Sequence, residues 1–137
     1  MSSSTGLVSI AVEGKVGESF GPTISEWMST PTPGKKKRLD YLGEILGIES
    51  AFPENIRYQL LHRTGSAIIE ARRFTARHAV LMVHSFSQND QWFEDYEKFV
   101  QLFGAVGILD QVITANMIEG VQLHFVWVRG NKKYLNA

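Results

Sequence analysis

The sequence predicts an α/β (α+β) fold, a small mixed sheet flanked by helices, and three observations carry that prediction. The runs Leu7-Val8-Ser9-Ile10-Ala11-Val12-Glu13-Gly14-Lys15-Val16 and Val121-Gln122-Leu123-His124-Phe125-Val126-Trp127-Val128 are short, rich in β-branched residues and bounded by glycine. His78-Ala79-Val80-Leu81-Met82-Val83-His84-Ser85-Phe86 is apolar at both parities, the pattern of an inner strand covered on two sides. Between these runs, apolar residues recur at helical spacing.

In chain order, residues 1–6 form a short polar lead, and the first strand follows, read as buried, with Val8, Ile10 and Val12 covering the face opposite Glu13 and Lys15. Gly17, Gly21 and Pro22 mark a turn, and Ile24, Trp27 and Met28 give the apolar side of a short helix. Thr30-Pro31-Thr32-Pro33-Gly34 breaks the chain before the cation run Lys35-Lys36-Lys37-Arg38. Leu39, Leu42, Ile45 and Leu46 then predict a helix ending at Gly47. Phe52-Pro53-Glu54 opens the longest predicted helix, which runs to about Phe74. Its stripe is Ile56, Leu60, Thr64, Ala67 and Ala71, widened by Leu61 and Ile68. Gln59, Arg63, Ser66, Glu70 and Arg73 lie opposite, His62 falls at the boundary, and Gly65, Ser66 and Ala67 allow close packing on a sheet. After the second strand, Ser87-Gln88-Asn89-Asp90 is expected to cap a helix carrying Trp92, Phe93, Tyr96, Phe99, Val100 and Phe103, closed by Gly104. That aromatic stripe reads as core, with Glu94, Asp95 and Glu97 outside. Residues 105–120 suggest a short helix or packed turn, the last strand follows, and residues 131–137 are a tail holding Lys132 and Lys133.

With 137 residues, 44% hydrophobic and 20% charged, the chain is expected to form one globular domain over 1–137. Fourteen basic residues balance fourteen acidic ones, which argues against a general polyanion binder and leaves nucleic-acid contact to a local patch. With no cysteine, a disulfide framework and a thiolate metal site are excluded. No apolar run approaches the ~20 residues of a membrane span, so no membrane partner is expected. The Ser-rich start lacks a basic leader region, and the expected location is cytoplasmic.

The candidate chemistry lies at the end of the first strand. Glu13 and Lys15 project from one face, with the small residues Ser9 and Ala11 behind them. A carboxylate that can hold a divalent cation, beside an ammonium that can orient water, suits metal-assisted phosphodiester hydrolysis. Such a pair also occurs where a strand simply surfaces into solvent. Lys35, Lys36, Lys37 and Arg38 stand at a helix start, where the dipole disfavours cations, so they offer phosphate or partner contacts, or a solvated first turn. His84 and Ser85 end a strand but lack the surroundings of a hydrolase nucleophile.

The blocks Ile10-Ala11-Val12-Glu13-Gly14-Lys15-Val16, Phe20-Gly21-Pro22-Thr23, Gly34-Lys35-Lys36-Lys37-Arg38-Leu39, Arg57-Tyr58-Gln59-Leu60-Leu61-His62-Arg63-Thr64 and His78-Ala79-Val80-Leu81-Met82-Val83-His84-Ser85-Phe86-Ser87 resemble an uncharacterised bacterial family. That family is similar to restriction endonucleases of the PD-(D/E)xK superfamily. The resemblance implies a central mixed sheet flanked by helices, with Glu13 and Lys15 on the (D/E)xK half of the motif. It places Tyr58 and Gln59 where related nucleases carry supporting polar residues. The superfamily's second metal ligand is an Asp on a preceding strand, and residues 1–6 contain no acidic residue. The resemblance therefore implies a truncated restriction-endonuclease-like core, in which Asp40, Glu26 or a symmetric partner would have to replace that ligand.

Two functions follow as expectations. One is a non-catalytic interaction protein with no cofactor, an inhibitor of anti-CRISPR or anti-restriction type that binds a nucleic-acid-processing complex in a bacterial or phage-infected cell. Its exposed 7–16 strand edge would pair with a protein partner or a second copy. The other is a Mg²⁺-dependent nuclease using Glu13 as metal ligand and Lys15.

Overall fold

A strand whose outward side chains are apolar and whose inward ones are Ser9, Ala11, Glu13 and Lys15 begins the chain's architecture. The structure, a computed structural model, describes residues 6–15, 19–86 and 89–130. The elements run β1 (Val8–Lys15), α1 (Ile24–Trp27), α2 (Pro33–Leu46), α3 (Tyr58–Arg73), β2 (His78–Ser85), α4 (Phe93–Gln101), β3 (Ile113–Ile118) and β4 (Val121–Arg129). The sheet order is β1-β2-β4-β3; β1, β2 and β4 are parallel, and β3 is antiparallel to β4. This is the mixed α+β architecture that the strand and helix patterns predict.

The helices stack on one face of the sheet. Parallel neighbours need a crossover, and α3 supplies it between β1 and β2, packing on both. Leu60, Leu61, Thr64, Ala67, Ile68 and Ala71 form its buried stripe, as the spacing predicts. Facing them are Ala79, Leu81 and Val83 of β2. Over β4, Tyr96, Phe99 and Phe103 enclose Phe125 and Trp127, which confirms the aromatic stripe as core. Trp127 also meets Phe20 and Phe93 edge-on, contacts worth ~1 kcal/mol each beyond their burial.

Several expected details are corrected. Val8, Ile10 and Val12 are about half exposed, while Glu13 and Lys15 are buried, because α3 lies over the small-residue face of β1. Buried and partly buried residues alternate strictly along β2 despite its apolar composition, because the helices pack on one of its sides. Residues 113–118 form strand β3, whose alternation is broken by a bulge between Thr114 and Met117. α2 begins at Pro33, before the cation run, because the Thr32 hydroxyl accepts from the Lys35 N–H and Pro33 tolerates the first turn. α3 begins at Tyr58; Pro53 and Glu54 precede it in a turn that hydrogen-bonds back to α1. α4 starts after Trp92, which is held in the left-handed region (φ 72°) and gives no side-chain cap. Gly65 does admit a close neighbour, but it is α2: a Cβ there would lie 2.5 Å from Leu42 Cδ2. The expected lead at 1–5, the turn at Gly17, the capping residues Ser87 and Gln88 and the tail with Lys132 and Lys133 lie outside the described residues.

Among the described residues no helix is long and apolar enough to cross a membrane.

Candidate functional site

The carboxyl end of β1 points Glu13 and Lys15 under the first turns of α3, where both are buried. Because the crossover lays α3 across the strand that precedes it, residues one turn apart on the helix reach the pair. Arg63 Nε donates to Glu13 Oε2 at 2.9 Å, and Lys15 Nζ lies 3.3 Å from Glu13 Oε1. Lys15 Nζ also donates to the Ser19 carbonyl (2.9 Å) and sits 4.9 Å above the Phe20 ring. The Gln59 amide is best placed with its nitrogen toward Glu13, donating to Oε1 (3.2 Å) and to the Phe20 carbonyl (2.9 Å). In the opposite orientation its oxygen is 3.4 Å from Lys15 Nζ.

The structure thus gathers three of the predicted residues, Glu13, Lys15 and Gln59. Helical position puts both Gln59 and Arg63 on the side opposite the apolar stripe, yet both reach the cluster, and their spacing of four is the available signal for Arg63. Tyr58 does not join them: its ring stacks on Trp27 with centroids 4.0 Å apart.

This set of donors is a poor cradle for a divalent cation. Lys15 and Arg63 each take one Glu13 oxygen, and among the described residues no group of three His, Cys, Asp or Glu is suited to a metal. The two carboxylates named as substitutes serve elsewhere. Glu26 Oε1 accepts from the Thr23 N–H at 2.8 Å in a capping box, and that hydrogen bond, joined by the Thr23 hydroxyl and the Arg57 charge, lowers its pKa. Asp40 lines a groove of about 1110 Å³ beside α2, which shares no residue with the Glu13 cluster.

The cation run divides by role. Lys35 folds back and donates to the carbonyls of Trp27 (2.8 Å) and Thr30 (3.1 Å), over the Trp27 ring. It ties α2 to the end of α1. Lys36, Lys37 and Arg38 are exposed, and Lys36 lines the α2 groove. Arg57 is the other fastening. It donates to the Gly21 carbonyl at 2.7 Å and pairs with Asp95 at 3.2 Å, joining α3 to α4.

Sequence spacing gave no sign of a histidine pair on the opposite face of the sheet. His78 Nδ1 and His124 Nε2 are 2.9 Å apart, and His124 Nδ1 is 3.1 Å from Thr114 Oγ1. Burial, and then the nearby His78 charge, lower the His124 pKa. Only the strand register could have shown this contact, since 46 residues separate the two rings.

Together these features define a small α/β domain with a buried ion cluster at the rim of an edge strand. The chain belongs to the family described as "Domain of unknown function (DUF6946)", whose model matches residues 1–132. No curated protein and no solved structure matches it.

Proposed function

We infer that the protein is a non-catalytic interaction module on a degenerate nuclease-like scaffold. One observation carries the inference: both oxygens of Glu13 are held by cations of the same chain, Lys15 at 3.3 Å and Arg63 at 2.9 Å. A carboxylate so neutralised has little left to offer a metal, because hard cations draw on several free oxygens. The pair instead pins the end of β1 beneath α3. β1 itself lies at the sheet edge, where its outer backbone groups offer a strand-pairing surface. The role proposed is binding, through that edge, to a protein of a nucleic-acid-processing complex in the cytoplasm of a bacterial or phage-infected cell, as an inhibitor of anti-CRISPR or anti-restriction type.

The competing reading, a Mg²⁺-dependent nuclease, draws on the convergence of Glu13, Lys15 and Gln59 at one place. A cleavage assay separates the two. The protein is incubated with Mg²⁺ or Mn²⁺ and single- or double-stranded DNA and RNA. No turnover is expected, and none in Glu13→Ala. Cleavage that disappears in both Glu13→Ala and Lys15→Ala would overturn the interaction reading.

A further inference from the structure

The sheet has a second face, opposite the one on which α3 and α4 pack. Val8, Ile10 and Val12 of β1 point outward there, each about half exposed. The register places them beside His78, Val80 and Met82 of β2, and these beside Gln122, His124 and Val126 of β4; Val126 is buried and the other five are partly buried. Val128 continues the same side of β4. From 8 to 14, 78 to 84 and 122 to 128, the outward positions hold no Asp, Glu, Lys or Arg; the polar ones are His78, His84, Gln122 and His124. An uncharged, largely apolar sheet face of this kind is what a second layer ordinarily covers.

We propose that a second copy of this chain covers it, the two sheets stacking face to face about 10 Å apart to give a helix–sheet–sheet–helix dimer. Area is the first argument. Four strands spaced ~4.8 Å and rising ~3.3 Å per residue over eight residues make a face of about 500 Å² in plan. With Val126 already buried the face contributes no more than this, about 1,000 Å² in total over two copies, which is the low end of the range for specific interfaces.

Charge is the second argument. A two-fold interface brings one patch against itself, so it must carry no charge that meets its own copy. This face satisfies that condition as it stands, whereas it offers an acidic or basic partner no opposite charge to pair with. The chain's formal net charge of zero adds no long-range repulsion between copies. Face-to-face stacking also leaves the edge of β1 free, so the dimer and the binding of a partner strand are compatible. The proposal does not depend on the role of Glu13.

Sedimentation or light scattering of the full chain at 10–100 μM tests it. The expected mass is about 31 kDa, twice the 15.4 kDa of one chain. Ile10→Glu and Met82→Glu, each with the parent's circular dichroism, should return it to a single-chain mass, with dissociation at least 100-fold easier. A wild-type mass of 15.4 kDa at 100 μM overturns the proposal, and so does a dimer that persists in both folded variants, since pairing would then run through the edge. Should the Glu variants fail to fold, Met82→Cys decides. The chain has no other cysteine, and Met82 sits on an inner strand between Val12 and Val126. A short bismaleimide, adding one thiol across each of its C=C bonds, should join two copies through it, and a dimeric sample that resists joining overturns the assignment of the face.

Discussion

Replacing Glu13 with alanine separates a structural ion cluster from a catalytic one, because the two make opposite demands on stability. Lys15 is only 6% exposed, so losing its carboxylate leaves a buried ammonium with the Ser19 carbonyl as its firm acceptor. Breaking a buried pair from one side costs about 3–5 kcal/mol. The Ser19 contact and the neighbouring Phe20 ring keep Lys15 partly compensated, which places the cost at the lower end, about 3 kcal/mol. Arg63 is half exposed and adds less than about 1 kcal/mol. For a chain of this size, 3 kcal/mol corresponds to a fall of about 10 °C in Tm. With a slope of ~2 kcal/mol/M, the urea midpoint falls by about 1.5 M. The assay is urea denaturation followed by circular dichroism, extended to a double-mutant cycle with Lys15→Met. Removing the stranded charge should restore part of the loss, so the Glu13→Ala/Lys15→Met double variant is expected to be more stable than Glu13→Ala alone, with a coupling energy of about 2 kcal/mol. A Glu13→Ala midpoint equal to or above the parent's would refute this reasoning. That is the behaviour of a carboxylate held under strain for chemistry, whose removal relieves the fold.

Gly65→Ala sets two terms against each other: helix propensity gains about 1 kcal/mol, while a Cβ 2.5 Å from the buried Leu42 overpacks the α2–α3 contact at a cost of about 1–3 kcal/mol. A net fall of a few degrees in Tm is expected, and recovery when Leu42→Val is added would confirm the contact as its cause. The histidine pair gives stability a pH dependence. The His124 pKa is lowered in the folded chain, so its contribution is complete above the unfolded value of 6.5 and is lost as pH falls from there through the folded value. Urea midpoints at pH 8 and pH 5 should differ less in His124→Gln than in the parent, and an equal difference would exclude the pair as a source.

How far the sequence reveals this fold can be argued from β1. Its existence was legible, because Val8, Ile10 and Val12 alternate with smaller residues at the period of a strand. Which side faces the core was not legible from that pattern. Hydrophobicity assigns the apolar side inward, yet α3 takes the side of Ser9 and Ala11, where its backbone can approach closely. β3 was missed for a related reason: Thr114 and Asn116 interrupt the alternation, and the bulge removes what period remained. The site divides along the same line. That Glu13 and Lys15 share a face follows from their spacing on a strand, whereas Gln59 was indicated only by the family resemblance. The Arg63 contact and the His78–His124 pair depend on helix rotation and strand register, which local patterns do not encode.

Three features of β1 have a common direction. Local preferences that agree with the fold are the ordinary condition of a natural sequence, and places where they conflict mark sites under some other demand. On β1, apolar residues face outward, charged ones face inward, and the strand stands at the edge of the sheet among the described residues. Stability of the isolated chain explains none of the three. The buried ions cost desolvation energy, the exposed valines and isoleucine forgo burial, and the edge exposes strand-pairing groups. An apolar second layer would account for the outward valines and a partner strand for the edge. The ion cluster, fastening the last residues of β1 beneath α3, keeps both surfaces in place.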